Sequence, residues 1–178
     1  MSECPKCGGR GHVLVDGVWH RCACLQRKVD KQKLGVFDTE QVERNTPLLG
    51  LVNQNTLIDG PLGVVRSHVA GALLHLSEQG KTYGAMDAYR LVEIFLDKVE
   101  EYKSTQDLAE FDLFIMLMGF GDIANRRLPE IILQALNRRE LVQKPTWIVL
   151  GIPLNSVAGR YDAAVYERIA QFRKARVE

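Results

Sequence analysis

Two clusters of residues have the types and spacings that chemistry requires. The first is Gly60-Pro61-Leu62-Gly63-Val64-Val65-Arg66-Ser67. A working phosphate loop reads G-x-x-x-x-G-K-[ST]. Its glycines let backbone amides curl around phosphate oxygens, its lysine reaches the terminal phosphates, and its hydroxyl meets Mg²⁺. Gly60 and Ser67 match the outer positions, but Val65 stands at the second glycine and Arg66 at the lysine. A β-branched side chain obstructs the curl, and a guanidinium keeps the charge with a different shape and reach. Gly60, Gly63, Arg66 and Ser67 are thus candidate residues of an incomplete nucleotide site.

The second cluster is cysteine. All four cysteines lie in the first 24 residues, as Cys4-Pro5-Lys6-Cys7 and Cys22-Ala23-Cys24. Thiolates three positions apart can turn onto one ion, and Gly8, Gly9 and Gly11 leave room for the turn. Between the pairs, His12–Val15 and Val18–Arg21 read as two strands around Asp16-Gly17. Knuckle, hairpin and second pair predict a zinc ribbon in which Cys4, Cys7, Cys22 and Cys24 hold a structural Zn²⁺. Two other readings stay open: His20 replacing one thiolate, or an unmetallated reactive cluster. Clustered pairs without the apolar core of an export signal favour a reducing cytoplasm.

The elements around these clusters follow from periodicity. Residues 25–34 form a helix or linker leaving the ribbon, where Arg27, Lys28, Lys31 and Lys33 suit either phosphate contacts or a solvated face. Residues 35–54, punctuated by Pro47 and Gly50, read as connecting chain. The main domain then runs from 55 to 178. Strands are expected at Thr56–Asp59, Thr82–Met86, Asp112–Met118 and Thr146–Leu150. Helices are expected from about Ser67 to near Gly80, and over Ala88–Tyr102, Leu128–Arg139 and Ala163–Arg176. This alternation predicts an α/β domain, a mostly parallel sheet with helices on both faces. No fifth strand is evident after the last helix; Gly50–Asn53 is one candidate for it.

Composition is ordinary for a globular chain of 178 residues, with 46% hydrophobic and 25% charged residues and a net charge of +1. No stretch is apolar and long enough to span a membrane. Charge is unevenly placed. Met1–Leu34 holds seven Lys/Arg against three Asp/Glu, and Asp87–Asp112 holds three against eight. Such ends suit a nucleic-acid or protein-docking surface, or simply two solvated faces. Arg10, Trp19 and Arg21 join Arg27, Lys28 and Lys31 as candidate contacts. Trp19 is the one ribbon aromatic on which a base could stack.

The chain resembles the bacterial and phage replicative-helicase loaders and the related transposition helper ATPases of the AAA+ class. The ribbon cysteines, Thr56-Leu57-Ile58-Asp59-Gly60-Pro61-Leu62-Gly63, Ser67-His68, Asp112–Met116 and Glu167-Arg168-Ile169 carry the likeness. Leu136-Asn137-Arg138-Arg139 followed by Lys144-Pro145-Thr146 is its most specific local match. The resemblance implies an AAA+-like P-loop domain with a five-stranded parallel sheet, ATP between subunits, and assembly on a helicase or on DNA. It also implies a trans-acting arginine, for which Arg168 is the candidate.

The departures fall on the chemistry. The strand that should end in carboxylates ends in Leu117-Met118, neither of which can ligate a hard cation. Asp122 follows off position. The sensor strand runs into Leu150-Gly151-Ile152-Pro153 rather than a polar residue. Val65, Leu117, Met118 and Ile152 are expected to fill the emptied cleft, with Arg66 paired to Asp59 or Asp122. ATP with Mg²⁺ is accordingly not an expected cofactor. The reading is a non-catalytic adaptor or regulator that docks on a replicative helicase, a loader or another AAA+ protein, with single-stranded DNA as a further partner. The alternatives are an inhibitor that mimics a loader, a nucleic-acid-binding ribbon protein, and a weak nucleotide-binding ATPase.

Overall fold

The computed structural model describes residues 12–15, 18–21, 37, 39, 42–97, 108–120 and 125–178. The described elements are β1 (His12–Val15), β2 (Val18–Arg21), β3 (Thr56–Asp59), α1 (Leu62–Glu78), β4 (Tyr83–Asp87) and α2 (Ala88–Asp97). They continue with β5 (Leu113–Met118), α3 (Leu128–Leu141), β6 (Thr146–Leu150), α4 (Val157–Arg160), α5 (Ala163–Ala170) and β7 (Arg173–Arg176). β1 and β2 pair antiparallel with His12 opposite Arg21, the expected hairpin. The other strands form one sheet in the order β4-β5-β6-β3-β7, with every neighbouring pair parallel. Among the described residues no helix is long and apolar enough to cross a membrane.

Strand alternation divides the core into two layers. Leu113, Ile115 and Leu117 of β5 and Trp147 and Val149 of β6 face α1 with its Val65, Val69, Leu73 and Leu76. Phe114, Met116 and Met118 of β5 and Ile148 and Leu150 of β6 face α2, α3 and α5. A strand apolar at every position is what burial on both faces demands, and β5 is buried throughout.

Three expectations need correction. The closing helix stops at Ala170, and Arg173–Arg176 is the fifth strand, pairing Thr56 with Arg173 and Asp59 with Arg176. Its arginines and lysine hide a strand because β7 is an edge, where exposed cations are tolerated and discourage further pairing. Gly50–Asn53 is not a strand; Pro47–Leu51 is a 3-10 turn capped by the Thr46 hydroxyl. The stretch read as connecting chain is also packed into the core. Phe37 and Leu48 are buried in the α1 layer, and the Glu43 amide donates to the Ser67 carbonyl at 3.1 Å. Gly71 permits this crossing, since a Cβ there would stand 1.9 Å from the Glu43 carbonyl oxygen.

The amino ends of the strands are held by polar side chains. Arg139, at the end of α3, is 1% exposed. Its guanidinium donates to the carbonyls of Leu108, Phe111 and Pro145 and to the Thr146 hydroxyl, and lies 5.8 Å from the Phe114 ring centre. Burial lowers its pKa to about 10, partly opposed by the Asp112 carboxylate. Asn55 Oδ1 accepts from the Thr146 amide at 2.8 Å, tying β3 to β6.

Arg139→Ala leaves those acceptors without donors. At about 1–3 kcal/mol for each buried group stranded, unfolding in urea should show a loss of at least about 3 kcal/mol. Arg139→Lys should lose less, because an ammonium keeps the charge without the fork.

Asp112 offers a pH test. The Thr82 amide donates to its Oδ2 at 2.9 Å, the Thr82 hydroxyl at 3.1 Å, and Lys144 Nζ lies 3.6 Å from Oδ1. The Thr82 amide is the largest cause of a pKa below the ordinary carboxylate value of 3.8, and burial opposes it. A depressed acid stabilises the fold above its unfolded pKa and loses that contribution as pH falls through the folded one. The Tm deficit of Asp112→Ala should therefore be present at neutral pH and shrink below the ordinary carboxylate pKa.

Candidate functional site

The candidate nucleotide site lies at the carboxyl ends of β3, β5 and β6, where open parallel sheets place their ligands. The segment after β3 is not an open loop. Pro61 precedes the helix, and α1 begins at Leu62 rather than near Ser67. Val65 N–H donates to the Pro61 carbonyl at 2.9 Å, so an amide that a phosphate cradle would present is spent inside the helix. Pro61 is the extended N-cap, with ψ 131°, and no glycine from Val64 to Ala70 holds the chain open. Gly60 retains a turn conformation with φ +153°. A Cβ there would stand 2.4 Å from the Val177 carbonyl oxygen and 3.3 Å from Val65 Cγ2. The chain following β7 thus occupies the space over this turn, fixed by a 3.0 Å bond from Val177 N–H to the Asp59 carbonyl.

The ends of β5 and β6 interlock through apolar groups. Gly119, with φ +87°, is covered by Ile152, and Gly151 is covered by the Phe120 ring. A Cβ on Gly119 would come 2.9 Å from Ile152 Cγ2, and one on Gly151 would come 2.7 Å from Phe120 Cε1. The Gly151 amide donates to the Met118 carbonyl at 2.7 Å. The expected fillers are not in one cleft. Val65 and Leu117 lie in the α1 layer with Phe120, whereas Met118 and Ile152 lie in the opposite layer. Adjacent residues of a strand point to opposite faces, so Leu117 and Met118 could not share a cleft. Parallel register sets Asp87, at the end of β4, beside Leu117. The acid nearest the end of β5 in register therefore comes from the neighbouring strand. In the sequence Asp87 stands out only as the first acid of the acidic stretch 87–112.

Gly63 is exposed on the first turn of α1, and Arg66 and Ser67 are half-buried on the same helix. Arg66 makes no ion pair with Asp59, and its Nε is buried without a hydrogen bond. Asp122 lies outside the described residues. Arg168, the candidate trans-acting arginine, is paired within its own chain: its guanidinium meets the Glu140 carboxylate at the end of α3. Trp19 and Arg21 belong to β2, while Arg10, Arg27, Lys28 and Lys31 lie outside the described residues.

The structural Zn²⁺ expectation is corrected. Among the described residues no group of three or more His, Cys, Asp or Glu could hold a metal ion. A structural zinc site needs four converging donors. His68 Nδ1 lies 3.1 Å from the Thr46 hydroxyl and His75 Nε2 lies 2.8 Å from the Gln79 amide nitrogen. Cys4, Cys7, Cys22 and Cys24 lie outside the described residues.

With this geometry in place, comparison with known proteins is informative about fold. No family model and no curated protein matches the sequence. Solved structures do. A DNA replication initiation factor matches with a TM-score of 0.62 at 12% identity, over 87% of this chain and 46% of its own. The replication initiator DnaA bound to AMPPCP and single-stranded DNA matches with a TM-score of 0.61 at 12% identity, over 86% and 46%. The DnaC helicase loader matches with a TM-score of 0.56 at 16% identity, over 85% and 99%. The fold is α/β with a parallel central sheet resembling AAA+ P-loop domains. The chain spans less than half the length of the two initiator structures and nearly all of the loader.

The interlock at β5 and β6 predicts a specific sensitivity. Gly119→Ala both strains a positive φ and presses a methyl into Ile152. A loss of about 1–3 kcal/mol is expected in urea unfolding.

Proposed function

We propose that this protein is a non-catalytic relative of the helicase loaders, an adaptor or regulator that docks on a replicative helicase, a loader or another AAA+ ATPase. The observation that carries this reading is a combination at one place. The fold is shared with a helicase loader and replication initiators, while the turn after β3 and the ends of β5 and β6 are packed with Val65, Val177, Phe120 and Ile152. Helix α1 absorbs the segment that would cradle phosphate, and no side chain of Leu117–Phe120 or Gly151–Ile152 can ligate Mg²⁺. A chain that keeps such a fold without its chemistry acts through surfaces. The DnaA structure bound to single-stranded DNA makes the nucleic acid a reasonable further partner.

Two measurements test this. Calorimetric titration with ATP and Mg²⁺ should give no binding heat, and phosphate release should stay at the uncatalysed rate; turnover would overturn the non-catalytic reading. Affinity capture from the native host followed by mass spectrometry should recover a helicase, a loader or another AAA+ ATPase. Recovery of none of these would overturn the docking reading. Salt-dependent retention of single-stranded DNA, without any such protein, would replace it with a nucleic-acid-binding role.

A further inference from the structure

A pocket of about 450 Å³ opens beside β7, within the roughly 300–1,000 Å³ of small-molecule sites. Leu57, Leu150 and Leu154 form its apolar wall, and Asp59, Lys174 and Arg176 supply its charges. It is distinct from the closed loop. Leu57 and Leu150 belong to the core layer under α2, α3 and α5, whereas α1 covers the other face of the sheet. The parallel register sets Lys174 beside Leu57 and Arg176 beside Asp59. Alternate residues of a strand share a face, so one acid and two cations stand on the same side.

Asp59 is in no ion pair with either cation. Among the described residues Asp59 and Lys174 form no ion pair, and Arg176 Nε is 3.3 Å from Glu178 Oε1 rather than on Asp59. An acid and cations side by side at an apolar wall, with no ion pair between them, are complementary to a small zwitterion with an apolar body. We propose that this pocket binds an apolar α-amino acid. Its ammonium meets Asp59, its carboxylate meets Lys174 and Arg176, and its aliphatic side chain lies on Leu57, Leu150 and Leu154. A polyphosphate is disfavoured by the Asp59 carboxylate, and a plain fatty acid leaves that carboxylate without a donor. This assignment is independent of the docking reading, since it concerns a different face of the sheet.

The test is titration of the full chain with leucine, followed by backbone amide shifts. Saturable shifts are expected at Leu57, Asp59, Leu150, Leu154 and Lys174–Arg176. Leucinamide, which lacks the carboxylate, and N-acetyl-leucine, which lacks the ammonium, should each bind at least about tenfold more weakly. Asp59→Asn and the pair Lys174→Gln with Arg176→Gln should each weaken leucine binding by at least about tenfold. Both act on exposed side chains, so an unchanged Tm separates lost binding from lost fold. The proposal is overturned by the absence of saturable shifts with leucine. It is equally overturned if leucinamide or N-acetyl-leucine binds as well as leucine, or if the folded variants bind it unchanged.

Discussion

A buried guanidinium that must find acceptors organises the amino-terminal end of this sheet. Arg139 leaves the end of α3 and joins the carbonyls of Leu108 and Phe111, before β5, to Pro145 and Thr146, at the start of β6. An unpaired charge there would be costly, so the group fixes the spacing of three chain segments that sequence separates. The neighbouring bonds from Thr82 to Asp112 and from Asn55 to Thr146 extend that register to β4 and β3. The strands therefore start from one polar framework, and their apolar middles can pack on both faces without slipping.

The opposite end of the sheet is built from contrary materials. Strand ends that in open parallel sheets face a ligand are here joined by Phe120 on Gly151, Ile152 on Gly119 and Val177 over Gly60. The glycines are small because large neighbours occupy their space, which inverts the use of glycine in a phosphate loop. There it admits a ligand's oxygens; here it admits a side chain or a carbonyl of the same protein. Val65 fits this arrangement because a helix turn, unlike a loop, accepts a β-branched residue at little cost. Cohesion at this end comes from packing.

How far all this was legible depends on whether a residue announces its environment. β5 and β6 were visible because long apolar runs can be buried only between two layers. β7 was not, because Arg173-Lys174-Ala175-Arg176 has no apolar alternation, and its pairing comes from backbone bonds to β3. The start of α1 was misplaced by giving the glycine pattern precedence over Pro61, which marks a first helical turn as readily as a loop. Arg139 was quoted for its motif, but nothing in the chain order says that its acceptors lie at positions 108 and 111. Arg168 is only a candidate finger or a surface residue in the sequence, because Glu140 is 28 residues away, although the two helix ends meet.

The two edges of the sheet present surfaces of different charge. β4 ends in Asp87 and leads into α2, whereas β7 carries Arg173, Lys174 and Arg176. An edge strand has unpaired backbone groups whatever its side chains, and side-chain charge decides which partner can approach it. Cations on β7 repel a second basic strand and attract an acidic one, so the edge is selective rather than inert. None of this uses the carboxyl ends of β5 and β6. Phe120 and Ile152 pack at those ends, on Gly151 and Gly119, away from the β7 edge. The polar framework around Arg139 lies at the far end of the same strands, so the two ends are held by different forces.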